Sequence, residues 1–99
     1  MITLCDELLD ALSRKYGNDE QLIAATGECG EFIASVQNYR RGKEPLERLM
    51  GEAVDVYFMM QQIRSINPTI FDELCLTKVT KVMQRLHEVW EKDLIEKIG

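Results

Sequence analysis

Apolar residues recur along most of the chain at the three- and four-residue spacing of helices, and nowhere do they alternate as a half-buried strand requires. The first such stretch runs from about Thr3, a natural N-cap, to Lys15. Leu4, Leu8, Leu9 and Leu12 share a face of it, and Gly17 is its stop. A second stretch, from about Asp19 to Arg40, carries Leu22, Ala25, Cys29, Phe32, Val36 and Tyr39 in one stripe, and Gly42 closes it. Pro45 suits the first position of a third helix that reaches Ile66. Asn67-Pro68 ends that helix and starts a fourth. This last one passes through Phe71, Cys75, Val79, Val82, Leu86 and Val89 to near Ile98, with room for a break between Leu86 and Trp90. Amphipathic segments joined this closely predict an all-α protein, a bundle of four to five helices forming one domain over residues 1–99.

Composition narrows the class. At 45% hydrophobic and 29% charged residues the chain has the make-up of a soluble globular protein. A net charge of -5 argues against broad nucleic-acid binding, which needs a basic face. It leaves open a small phosphorylated ligand, because a few acids can bring in a neutralising cation. Three widely spaced cysteines, Cys5, Cys29 and Cys75, fit reduced thiols better than a disulfide framework or a zinc site. The opening Met1-Ile2-Thr3-Leu4-Cys5-Asp6-Glu7 lacks the base and long apolar run of a secretory leader, and no segment has the length of a membrane span. A cytoplasmic, membrane-free protein is expected. Ninety-nine residues bury a limited core, so a second copy would add useful apolar burial.

The candidate chemistry lies in carboxylates three residues apart, which fall on one side of a helix. Six such pairs occur: Glu7/Asp10, Glu28/Glu31, Glu44/Glu47, Glu52/Asp55, Glu88/Glu91 and Asp93/Glu96. Context separates two of them from solvated faces. Glu28 and Glu31 are the only charges between Glu20 and Arg40, and Glu52 and Asp55 continue the apolar line of Val56, Met59, Ile63 and Ile66. Acids at the edge of a core are costly unless they are paired or bind a cation. The small neighbours Ala24, Gly27, Gly30, Ser35, Gly51 and Ala53 leave room between the helices. Four carboxylates on two helices would make an all-oxygen site suited to magnesium or manganese; buried salt bridges are the structural alternative.

Glu28-Cys-Gly-Glu31 followed after twenty residues by Glu52-Ala-Val-Asp55 resembles the ExxE…ExxD signature of the MazG-like all-α nucleoside triphosphate pyrophosphatases. Tyr16-Gly17-Asn18-Asp19-Glu20-Gln21 looks like that family's entry into its metal helix, Asn38-Tyr39-Arg40-Arg41-Gly42 like its exit, and Lys81-Val-Met-Gln-Arg85 like its later basic helix. The likeness covers roughly residues 16 to 86 and is closest to the small single-domain phage and bacterial type. One departure is Gly27, where members often carry an additional glutamate.

The resemblance implies that Glu28, Glu31, Glu52 and Asp55 hold magnesium against a triphosphate, with Glu28 or Glu31 steering or deprotonating the attacking water. The products would be nucleoside monophosphate and pyrophosphate. It also implies a homo-oligomer, a dimer or a tetramer of two dimers, whose second subunit helps to close the site.

Lys78, Lys81 and Arg85 share a face of the last helix and would clamp phosphates; a solvated flank is the plainer account of any one of them. Arg40-Arg41-Gly42-Lys43 reads as loop surface, Phe32, Tyr39, Tyr57 and Phe58 as packing, Trp90 as packing or interface, and His87 as a surface residue. The missing ExxH pair counts against a di-iron bundle. Two rivals remain. A phosphoribosyl-ATP pyrophosphohydrolase has similar acidic motifs, but the histidine expected soon after the second is absent from Val56-Tyr57-Phe58-Met59. A non-catalytic helical adaptor with an acidic surface would be indifferent to metal.

Overall fold

The computed structural model describes the backbone of residues 5–98 and the side chains of residues 5–88 and 96. Thr3 as a cap, Leu4, and the side chains of Val89 and Trp90 lie outside the described residues. The described residues form three helical elements: α1 (Asp6–Arg40), α2 (Leu46–Ile66) and α3 (Pro68–Ile98). The described residues contain no strand. The all-helical expectation is met, but the helix count is three, not four or five.

The difference lies at Gly17. The first two expected segments form one element, interrupted where Gly17 takes φ 77 and ψ 162. Those dihedrals are open to glycine and closed to L-residues, so α1 changes direction there without leaving a loop. The break allowed between Leu86 and Trp90 does not occur, and the five residues there include neither glycine nor proline to make one.

α1 ends in a Schellman motif. Gly42 adopts φ 73, its N–H donates to the Tyr39 carbonyl at 3.0 Å, and the Lys43 N–H donates to the Asn38 carbonyl at 2.8 Å. Pro45 is the N-cap of α2, one residue ahead of the helical position expected for it, with φ -73 and ψ 159. Glu44 then ties the turn down. It accepts from the Ser35 hydroxyl at 2.7 Å and the Asn38 amide at 3.2 Å, and pairs with Arg48 at 3.5 Å. At the far end of α2, Asn67 is pulled into an extended conformation, φ -153 and ψ 87, as a residue before proline must be.

The chain divides after Asn67 into two units. In the first, α1 packs on α2. The inward face of α1 follows the middle of the expected stripe: Ala25 is buried and Cys29, Phe32 and Val36 are half-buried, whereas its two ends, Leu22 and Tyr39, are exposed. Gln21 and Ser35, both buried, and the half-buried Glu28 border it. On α2 the buried residue is Gln62, with Glu52, Val56, Met59 and Ile63 half-buried and Ile66 exposed. Polar Gln21, Ser35 and Gln62 therefore share the buried positions of this unit with Leu9 and Ala25. The second unit is α3 itself, along which Ile70, Leu74, Leu76, Val79, Val82, Met83 and Leu86 are exposed. No helix among the described residues is long and apolar enough to cross a membrane.

Two glycines of α1 should respond oppositely to alanine. No atom lies within 4 Å of a Cβ built at Gly17 or at Gly27, so sterics from neighbours do not differ. Gly17→Ala forces an L-residue into a glycine-only conformation and should cost about 1–3 kcal/mol. Gly27→Ala, at an ordinary helical position, should gain about 0.5–1 kcal/mol. Urea unfolding of both variants checks the pair; equal effects would show that α1 has no such break.

Candidate metal centre

Glu28 and Glu31 lie three residues apart on α1, and Glu52 and Asp55 three apart on α2. Packing of the two helices brings them together. One carboxylate oxygen from each of Glu28, Glu31 and Glu52 lies within 4.8 Å of the others. Asp55 stands outside that group but faces it closely enough for its charge to act on both Glu28 and Glu52.

Burial sharpens the contrast with an ordinary acidic surface. Glu28 and Glu52 are half-buried, and each has one oxygen, Oε2, sealed from solvent and without a hydrogen-bond partner. Glu31 and Asp55 are exposed. Removal from water pushes the Glu28 carboxyl above the ordinary value of 4.5, and the negative charges of Asp55, Glu31 and Glu52 push it further. Glu52 is raised for the same reasons, burial first and then Glu31 and Asp55, with Arg48 opposing. Toward the connecting turn Glu44 is lowered, chiefly by the Ser35 hydroxyl. A buried salt bridge, the structural alternative, would leave no covered carboxylate oxygen bare, yet Oε2 of both Glu28 and Glu52 is covered and unpartnered. The ion pair of Arg48 is made with Glu44 in the turn.

Unpartnered carboxylate oxygens converging from two helices are the donor set a hard divalent cation needs, and magnesium or manganese fits them. Glycines 27, 30 and 51 flank the site, and a Cβ on any of them would meet nothing within 4 Å.

Lys78, Lys81 and Arg85 are exposed along α3, in the second unit. His87 is exposed, as expected of a surface residue. Tyr57 and Phe58 meet edge to face at 6.4 Å. Four polar residues take structural parts in the α1–α2 pair that the apolar stripes do not predict: Gln21, Gln62, Ser35 and Arg48. Their signal is a seven-residue spacing, 21-28-35 on α1 and 48-55-62 on α2, that threads polar side chains along the helix pair.

No family model matches the chain, and neither a curated protein nor a solved structure does.

The raised carboxyls make a prediction for the metal-free chain. A folded state with raised carboxyls holds more protons than the unfolded one, so their contribution is full below the ordinary value of 4.5 and is lost as pH rises through the folded values. Glu44 works in the opposite sense, and its contribution is lost only as pH falls below that ordinary value. In the presence of a chelator the Tm should therefore fall as pH rises above the ordinary carboxyl value of 4.5. Glu28→Gln and Glu52→Gln should each flatten that decline and raise the Tm at neutral pH. A wild-type Tm indifferent to pH over this window would contradict the electrostatics of the site.

Proposed function

We propose that the chain is a magnesium-dependent nucleotide pyrophosphohydrolase of the MazG-like all-α type, splitting nucleoside triphosphates into monophosphate and pyrophosphate. The observation that carries the proposal is the convergence of Glu28, Glu31 and Glu52 from two helices, with the Oε2 atoms of Glu28 and Glu52 covered and unpartnered. It adds to the ordered motifs of the sequence.

Glu28, Glu31, Glu52 and Asp55 would hold the magnesium, and manganese would serve in its place. A cation there supplies charge neutralisation for the phosphates and acidifies water. The chain's own residues do the rest. Glu28 or Glu31 orients the attacking water and accepts its proton as the α–β phosphoanhydride bond breaks and pyrophosphate leaves. The resemblance implies that Lys78, Lys81 and Arg85 would supply positive charge for the phosphates. Covalent catalysis has no part in the scheme, because positioning and charge stabilisation account for most phosphoryl-transfer catalysis.

A second copy of the chain is the proposed partner, as a dimer or a dimer of dimers. Among the described residues only Leu9 and Ala25 are buried hydrophobics, while Ile23, Ile33, Met50 and Val54 are exposed on α1 and α2. So small a core supports a helical pair poorly without further burial. A cytoplasmic location agrees with the free thiols of Cys5, Cys29 and Cys75.

Pyrophosphate release from canonical, deoxy and modified nucleoside triphosphates is the direct test. Activity should require magnesium and fall at least about a hundredfold in Glu52→Gln and Asp55→Asn. Turnover of phosphoribosyl-ATP alone would move the assignment to that substrate. A folded, magnesium-supplied protein that turns over neither, and whose Tm ignores magnesium, would be an adaptor. Gly27→Glu should be accommodated, since nothing lies within 4 Å of its Cβ, and should tighten magnesium binding by adding a carboxylate beside Glu28.

A further inference from the structure

Polar residues recur at three successive levels of the α1–α2 pair, buried or half-buried on α1 and, on α2, exposed at Arg48 and Asp55 and buried at Gln62. Gln21, Glu28 and Ser35 stand seven residues apart on α1, as Arg48, Asp55 and Gln62 do on α2. Seven residues are nearly two turns, so each set keeps to one side of its helix. Interactions across the pair set the levels. Ser35 meets Glu44, one turn ahead of Arg48, next to the connecting turn. Glu28 feels the charge of Asp55 in the middle. Two turns further from the connection on each helix come Gln21 and Gln62, about 10.5 Å along the axis from the acids. Both are buried, at 3% and 7% exposure.

The hydroxyl level is satisfied by Glu44, and the acid level suits a cation. The amide level stands out because Oε1 and Nε2 of Gln21 are both sealed from solvent and neither has a partner. A covered amide with no hydrogen bond is expensive, and an apolar residue of the same length would be the stable choice if packing were its only role. The amide offers an acceptor and two donors in one plane, the complement of the Watson–Crick edge of a nucleobase.

We infer that Gln21 is the base-recognition residue of the site, pairing with a nucleobase that carries an adjacent donor and acceptor while the phosphates lie at Glu28, Glu31 and Glu52. This rests on the pyrophosphohydrolase proposal and extends it to the base. The level lies at the end of the helix pair away from the Glu44 clamp and four residues past the break at Gly17. An amide can turn over to match either order of donor and acceptor. Gln21 thus separates a nucleotide from a base-free polyphosphate more than one base from another.

Calorimetric binding of hydrolysis-resistant α,β-methylene nucleoside triphosphates and of inorganic tripolyphosphate, each with magnesium, tests the assignment on the full chain. Gln21→Met keeps the length and removes the unpartnered amide, so it should fold at least as stably as the wild type. Nucleotide affinity should drop about tenfold or more in this variant, with tripolyphosphate affinity unchanged. In the wild type, the side-chain NH2 resonances of Gln21 should shift with the nucleotide analogue and stay in place with tripolyphosphate. An unchanged ratio of the two affinities in folded Gln21→Met, or Gln21 resonances unmoved by nucleotide, would overturn the inference. A wild type that binds tripolyphosphate as tightly as nucleotide removes base recognition and leaves the metal site standing. A wild type that binds neither removes both.

Discussion

Like charges forced together between two helices repel, and the α1–α2 unit is organised around that repulsion. Glu28, Glu31 and Glu52 converge within 4.8 Å, with Asp55 adding a fourth charge nearby. Left alone, such a group drives the helices apart or draws protons from solution. The chain counters it locally at one end. Glu44, fixed by the buried Ser35 hydroxyl and by Asn38, ties the connecting turn to α1 and sets the register at which the acids meet. Arg48 sits between Glu44 and Glu52 in the chain and tempers both. The uncompensated remainder is concentrated on two covered oxygens.

The small core has the same origin. A helix pair that gives buried positions to Gln21, Ser35 and Gln62 has fewer left for leucine and isoleucine, and several of those residues emerge on outer faces instead. Apolar burial within the unit is traded for polar side chains between its helices.

Much of this is legible in the sequence, where local rules govern. Gly42 and Asn67-Pro68 mark helix ends through backbone preferences that need no tertiary information. Glu28, Glu31 and Glu52 stand out because acids at helical spacing interrupt apolar surroundings. Other features depend on contacts between elements and carry no such mark. Gly17 reads as a terminator and does interrupt the helix, but that the next segment starts again at once, across a kink and with no loop, is not marked in the sequence. The clamp on Glu44 requires the turn geometry that aims it at Ser35. Gln21 is hard to single out because glutamine ordinarily lies on the surface. Asp55 is exposed, like Glu31, and adds its charge beside the group of Glu28, Glu31 and Glu52.

The dihedrals of Gly17 carry one more consequence, a matter of handedness. Their mirror image, φ -77 and ψ -162, is extended backbone that any L-residue adopts with ease. The elbow of α1 is thus a place where the chain needs a residue of opposite chirality, and glycine, being achiral, is the one genetically encoded residue that answers to it. A D-alanine introduced there by chemical synthesis would hold the bend without strain and narrow the freedom of the unfolded chain, turning a permissive joint into a fixed one.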